Sequence, residues 1–131
     1  MAGITGFHHL ALTVRDLEKS VGWYSELLGL NKIRELPDEG RGAKVICLQP
    51  DCKLVIGFTQ HRSNPGDGFS EFRTGMDHVA FAVSSQAELE DWQARFQERG
   101  IEHSEIKPSA LGSLITFRDP DNIQLEVYAP A

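Results

Sequence analysis

The sequence has little that is typical of secreted or membrane-bound proteins. Only two of its 131 residues are cysteines, Cys47 and Cys52, so we expect two reduced structural thiols and no disulfide framework. No apolar run is long enough to cross a bilayer. The first six residues lack the basic and apolar regions of a signal peptide. We therefore expect a cytoplasmic protein without a membrane partner.

Positive charge is also scarce. The chain has 13 Lys and Arg against 19 Asp and Glu, and its net charge of -6 gives no indication of a nucleic-acid partner. The hydrophobic content of 40% is ordinary for a globular protein. A chain of 131 residues is long enough to bury a core unaided, so we expect a single domain over residues 1–131.

The first half of the sequence has the pattern of one strand, one helix and three strands. Asp16 is a suitable N-cap for the helix, and Gly29 is a suitable C-cap. Leu17, Val21, Tyr24 and Leu28 recur at helical spacing and predict its apolar stripe. The predicted strands cover residues 7–14, 30–36, 43–48 and 53–59. Residues 60–75 have no periodicity and predict a long loop.

The second half repeats this order. Ser85 and Glu88 form a capping box at the start of a helix, and Gly100 ends it. The predicted strands cover residues 77–83, 101–106, 113–118 and 123–128. The turn before the last strand contains Asn122, a residue that tolerates a left-handed conformation.

The two halves match at one offset. His9 and His78 are 69 residues apart, as are Trp23 and Trp92. The motif HLALTV at residues 9–14 also matches HVAFAV at residues 78–83. An internal repeat of one βαβββ unit explains this agreement.

The repeat predicts an α+β fold. Two tandem βαβββ units are expected to form a curved mixed sheet with the helices outside. The first unit covers about residues 5–60, a loop or linker covers about 61–75, and the second unit covers about 76–131.

Strand alternation places chemically active side chains on one face in each half. His9 and Thr13 share a face of the first strand, whereas His8 is expected on the buried face. In the last strand Glu126 lies opposite the apolar residues, together with Gln124 and Tyr128.

The same offset indicates an open metal site. Position 126 minus 69 is position 57, a glycine, so one of the four equivalent places has no side chain. His9, His78 and Glu126 remain, and two imidazoles with one carboxylate are typical of an open facial triad. We expect one divalent ion there (Fe, Mn, Zn, Ni or Co).

Four motifs carry a family resemblance. HLALTVRDL at residues 9–17, followed by WY at 23–24 and LLGL at 27–30, resembles the opening of the vicinal oxygen chelate superfamily. DHVAF at residues 77–81 and FRDPDNIQLE at 117–126 resemble its second half. That superfamily includes glyoxalase I, bleomycin-resistance proteins, fosfomycin-resistance enzymes and extradiol dioxygenases.

The resemblance implies metal ligands at His9, His78 and Glu126. The fourth ligand of glyoxalase I, a Glu or Gln that takes part in proton transfer, falls on Gly57, which disfavours a glyoxalase I activity. Three ligands are similar to the pattern of extradiol dioxygenases and fosfomycin-resistance enzymes. The resemblance also implies a small-molecule substrate and a homodimer, with the site within one chain or across two.

Several residues are further candidates around this metal. Glu126 and His61 are candidate acid–base residues, although His61 is predicted to lie in the loop. Phe69 and Arg73, also in the loop, are either part of a solvated linker or of a lid over the substrate. Gly57, Thr13, Gln124 and Tyr128 are expected beside the ligands or the substrate.

The expected function is metal-dependent catalysis on a small substrate chelated through vicinal oxygens. The chemistry is either like that of extradiol dioxygenases or like that of lyases and isomerases. Two alternatives remain open. One is a non-catalytic binding protein of the bleomycin-resistance type, and the other is a thiol transferase of the fosfomycin type.

Overall fold

The computed structural model describes residues 1–131 and contains two helices and eight strands. Two compact units divide the chain, Met1–Asp67 and Gly68–Ala131. The elements of the first unit are β1 (Leu10–Thr13), α1 (Leu17–Leu28), β2 (Asn31–Leu36), β3 (Gly42–Gln49) and β4 (Leu54–His61). Those of the second are β5 (Val79–Ala82), α2 (Gln86–Glu98), β6 (Lys107–Ser109), β7 (Gly112–Arg118) and β8 (Gln124–Pro130). The predicted α+β class and βαβββ repeat are confirmed.

Each unit has a mixed sheet of four strands with the same topology. The strand orders are β1-β4-β3-β2 and β5-β8-β7-β6. In both sheets the first strand pairs in parallel with the last, and the other pairs are antiparallel. Ala11 lies beside Gly57 in the first sheet, and Ala80 lies beside Glu126 in the second. Residues that are 69 positions apart in the sequence therefore occupy equivalent positions in the two sheets.

Helix α1 begins and ends as its sequence predicts. The Asp16 carboxylate accepts a hydrogen bond from the backbone N–H of Lys19, and Gly29 ends the helix in the left-handed conformation with φ of 70°. Tyr24 and Leu27 are fully buried, and the Tyr24 ring packs 5.1 Å from the Phe58 ring of β4. Leu27, rather than the expected Leu28, completes the buried face of the helix.

Helix α2 begins at the predicted capping box. The Ser85 hydroxyl accepts from the N–H of Glu88, and the Glu88 carboxylate accepts from the N–H of Ser84. Leu89 and Phe96 are buried, and the Phe96 ring lies 4.5 Å from that of Phe117 in β7. Both helices thus cover one face of their own sheet and leave the other face for a site.

The prediction of a strand at residues 101–106 is wrong. The corresponding strand, β6, lies later, at Lys107–Ser109. The reason is a side chain that takes over a backbone role. The Ser104 hydroxyl accepts a hydrogen bond from the N–H of Thr116, and only an isolated bridge joins His103 to Phe117. This local bond competes with a regular ladder.

Two histidine positions also differ from expectation. His8 is exposed, not buried, because β1 begins only at Leu10 and strand alternation does not extend back to residue 8. His61 is the last residue of β4 and does not belong to the loop. No helix has the length and apolar character needed to span a membrane.

Two glycines provide a test of the packing. A Cβ on Gly112 would lie 1.9 Å from the Ala129 carbonyl oxygen, whereas a Cβ on Gly57 would meet nothing closer than 3.9 Å. We expect Gly112→Ala to lower the free energy of unfolding by about 1–3 kcal/mol, because the strands must move apart. Gly57→Ala is the matched control and is expected to be neutral or slightly stabilising, because glycine is unfavourable inside a strand. Urea denaturation measures both, and equal stabilities would contradict the assigned strand contact.

Candidate metal centre

The first unit presents His9 and a nearly bare strip of sheet. His9 directly precedes β1, and Ala11 and Thr13 lie further along the same face of that strand. Thr13 pairs with Thr59 of β4, and Ala11 pairs with Gly57. The opposite face of β1 contributes Leu12, which is 3% exposed, to the core. His9 therefore lies at the end of a face that the helix does not cover.

His61 joins this face through its place in β4. Alternation along the strand puts His61 on the same side as Gly57 and Thr59. Its side chain is exposed, and its backbone pairs with Gly42 of β3. The position in a strand supports the candidate acid–base role better than a loop position would.

The His9 ring contacts the preceding residue. The Nδ1 atoms of His8 and His9 are 2.8 Å apart, which is a hydrogen bond with one nitrogen donating and the other accepting. The two rings meet edge to face, with centroids 5.0 Å apart. If His9 is the donor, its Nε2 atom has a free lone pair, as a metal ligand requires.

The second unit brings a histidine and a carboxylate together. The distance from His78 Nε2 to Glu126 Oε2 is 3.4 Å. Two donors in adjacent coordination positions, each about 2.1 Å from a metal, lie roughly 3 Å apart, so this pair fits one ion. Glu126 is only 8% exposed, in strand β8 between the buried Leu125 and Val127. A buried carboxylate requires such a partner.

The structure adds Asp77, which sequence reasoning missed. Its Oδ2 atom lies 2.7 Å from His78 Nδ1, so the carboxylate accepts from the ring N–H and leaves Nε2 directed at Glu126. Carboxylate–imidazole pairs of this kind orient metal-binding histidines. The offset of 69 contains the missing signal, because Asp77 and His8 occupy equivalent positions.

Gln124 and Tyr128, the neighbours of Glu126 on its face, bind to other parts of the second unit. The Gln124 side-chain carbonyl accepts from Arg118, at 3.0 Å. The Tyr128 hydroxyl donates to the Ser109 hydroxyl at 2.7 Å and accepts from the N–H of Leu111. Both side chains are half-buried, and these bonds fix the strands that carry Glu126.

The segment with Phe69 and Arg73 is held against the turn before β8. The backbone N–H of Phe69 donates to the Asp121 carbonyl, and the Asn122 amide donates back to the Phe69 carbonyl. Glu71 pairs with Arg118 at 2.7 Å, and this guanidinium lowers the pKa of the Glu71 carboxyl. Phe69 is half-buried and Arg73 is exposed.

No group of three His, Cys, Asp or Glu side chains forms a metal site in the structure. The predicted ligands are divided between the two units, with His9 in the first and His78 and Glu126 in the second. The second unit thus contains two of the predicted ligands, with His78 Nε2 and Glu126 Oε2 3.4 Å apart, and the first contains one.

Comparison with known proteins agrees with this architecture. A sequence profile of the glyoxalase/bleomycin resistance protein/dioxygenase superfamily matches residues 6–127. The chain belongs to this superfamily. The resemblance seen in its sequence motifs is therefore confirmed.

Relatives within the superfamily differ in size. The uncharacterized protein YwkD of Bacillus subtilis is 32% identical, over 95% of this chain and 97% of its own. A manganese-dependent 2,3-dihydroxybiphenyl 1,2-dioxygenase of Geobacillus genomosp. 3 is 27% identical over 97% of this chain, which spans only 37% of that enzyme. A glyoxylase/bleomycin resistance protein/dioxygenase domain from Frankia sp. EAN1pec superposes with a TM-score of 0.89 at 30% identity, over 98% of this chain and 100% of its own.

The contact between Asp77 and His78 predicts a tautomer. In metal-free protein at a pH where the ring is neutral, we expect His78 to carry its proton on Nδ1, because Asp77 accepts that bond. Asp77→Ala should shift the ring toward the Nε2–H form, and Asp77→Asn should preserve the Nδ1–H form, because its amide oxygen still accepts. Long-range ¹H–¹⁵N correlation spectra distinguish the two tautomers.

The control is Asp91→Ala, in helix α2, which should leave the His78 signals unchanged. An Asp77→Ala spectrum identical to that of the wild type would show that Asp77 does not orient the ring.

Proposed function

We propose that this protein is a divalent-metal-dependent enzyme that acts on a small substrate bound through two neighbouring oxygen atoms. The observation that carries the proposal is the approach of His78 Nε2 to Glu126 Oε2, at 3.4 Å, with Asp77 holding the other ring nitrogen. Membership of the superfamily supports it, as does the similarity to a manganese-dependent dioxygenase.

In this proposal His9, His78 and Glu126 bind the ion. Nitrogen and carboxylate oxygen donors suit Mn, Fe, Co, Ni or Zn. When bound, the ion supplies Lewis acidity, which stabilises negative charge on substrate oxygens. Gly57, the counterpart of Glu126, contributes no fourth ligand and leaves that position open to substrate.

The protein residues have separate tasks. His8 and Asp77 orient the two imidazoles, and the bonds of Gln124 and Tyr128 keep β8 in place. His61, on the Gly57 face of β4, is the proposed proton acceptor for a substrate hydroxyl. Thr13 provides a hydroxyl on the same face of the first sheet. Phe69 and Arg73 are proposed to contact substrate from the segment before β5.

We rank ring-cleaving dioxygenase chemistry and lyase or isomerase chemistry together, since a divalent ion held by these residues would serve both by stabilising negative charge on two substrate oxygens. The competing function is a binding protein that sequesters a small molecule without a metal. We also propose that the protein is a cytoplasmic homodimer. Its two cysteines are free thiols, which suits a reducing compartment.

Metal titration tests the ligand set. Purified metal-free protein is titrated with Mn(II), with free ion followed by electron paramagnetic resonance and stability followed by thermal unfolding. We expect one ion per chain, and about 2.7 kcal/mol of stabilisation when free Mn(II) is one hundred times Kd. His9→Ala, His78→Ala and Glu126→Ala should each weaken binding by well over tenfold.

Two variants outside the proposed site serve as controls. His103→Gln changes a ring that stacks on Phe96 under helix α2, and Glu90→Ala changes an exposed carboxylate of the same helix. Both should bind Mn(II) like the wild type. Absence of binding to the wild type, with the His78 and Glu126 variants equally stable, would favour the sequestration function.

The same variants decide whether one chain or two supply the ligands. His9→Ala and His78→Ala chains are co-expressed with different tags and purified as a mixed dimer. One ion per mixed dimer means that each site takes ligands from both chains, because only then does one site keep all three. No ion means that each chain supplies its own complete set.

A further inference from the structure

We propose that a cleft beside His9 in the first unit binds an apolar part of the substrate, and that Gly57 sets the size of that part. This inference rests on the proposed function and adds the substrate class, an aryl or branched alkyl compound with vicinal oxygens. The cleft has a volume of about 420 Å³, within the usual range for small-molecule sites.

Apolar atoms form most of the cleft surface, and Ala11 of β1, Ile46 of β3 and Val55 of β4 are among the residues that contribute them. These three residues lie on the sheet face that α1 does not cover, whereas Phe58, which also lines the cleft, packs its ring against Tyr24 of α1. A half-buried aliphatic surface of this kind gains free energy when an apolar ligand displaces its water.

A β-bulge adds Ile33 to this surface. Lys32 pairs with Cys47 and Arg34 pairs with Ile46, so Ile33 has no partner in the ladder between them. Its side chain is 56% exposed and lines the cleft. An isoleucine so exposed on an edge strand costs solubility, and contact with an apolar ligand offsets that cost.

Gly57 is not required by the backbone. Gly57 does not have a positive φ, and an added Cβ would contact only the Ala11 Cβ and the Leu10 carbonyl oxygen, both at 3.9 Å. A larger residue is therefore compatible with the strand, as the equivalent Glu126 of β8 demonstrates. What a side chain at position 57 would change is the space above the sheet, where Gly57 faces Ala11, another small residue.

The polar groups of the cleft define which end the oxygens occupy. His8 and His9 line it together with Lys44, whose side chain is exposed. The oxygen pair of the substrate belongs at the His9 end, where the proposed ion binds. Away from the His9 end the cleft contains no buried cation, so a phosphonate group would lose hydration there with only the exposed Lys44 as a partner. The lining therefore disfavours fosfomycin-type substrates and favours a hydrophobic body.

Two catechols that differ only in apolar area test the inference. Calorimetric titrations without oxygen compare catechol with 3-phenylcatechol, each with Mn(II)-loaded protein and again in EDTA. We expect the phenyl group to tighten binding by about tenfold or more, from the apolar surface that it buries. Gly57→Leu should abolish this preference, and Val55→Thr, which keeps the shape but adds a hydroxyl, should reduce it severalfold.

Gly22→Leu is the matched control. Gly22 lies in α1 with open space around its missing Cβ, so the same change should leave the phenyl preference intact. If Gly57→Leu fails to fold, Gly57→Ala replaces it, since it adds only ordinary contacts, and a smaller loss of preference is expected.

The outcomes separate this inference from the proposed function. Equal affinity of the wild type for both catechols, or a full phenyl preference in the Gly57 variants, overturns the inference even if Mn(II) binds. Failure to bind Mn(II) overturns the proposed function, while the titrations in EDTA still decide the apolar preference. If neither catechol binds and Gly57→Leu instead weakens a dimer in sedimentation experiments, the cleft belongs to a second copy of the chain.

Discussion

The parallel pairing of the first and last strands in each βαβββ unit is the constraint on which the candidate site depends. It places residue 57 beside residue 11 and residue 126 beside residue 80. Each sheet therefore places the start of its first strand, which a histidine directly precedes, beside the first residues of its last strand. Buried partners on the reverse face, such as Phe58 and Val127, prevent a slip of register, because a shift by one residue would turn every side chain over.

Most of the fold could be predicted because its signals are local and occur twice. Asp16 and Ser85 accept the hydrogen bonds of helix N-caps as their residue types predict, and Gly29 has the left-handed conformation of a C-cap. Glu126 could be assigned to the face opposite Leu125 and Val127 from alternation alone. The match of His9 with His78 identifies equivalent positions in the two halves from the sequence alone.

The errors have equally local causes. Alternation gave the wrong environment for His8 because a strand pattern does not reveal where the ladder begins. The Ser104 hydroxyl accepts a hydrogen bond from the Thr116 N–H, in place of a regular backbone ladder at residues 101–106. Apolar periodicity does not reveal this competition between a side chain and the backbone. Asp77 was overlooked because a carboxylate next to a histidine in sequence faces it only for particular side-chain rotamers.

The equivalence of His8 with Asp77 and of Gly57 with Glu126 has an evolutionary consequence. In a duplicated chain, one repeat can preserve the fold while the functional side chains of the other repeat change. The first copy has an imidazole where the second has a carboxylate, and a bare backbone where the second has an acid, so the two copies are electrically unlike. The two repeats therefore offer a bound oxygen atom different electrostatic surroundings, although their strands have the same topology.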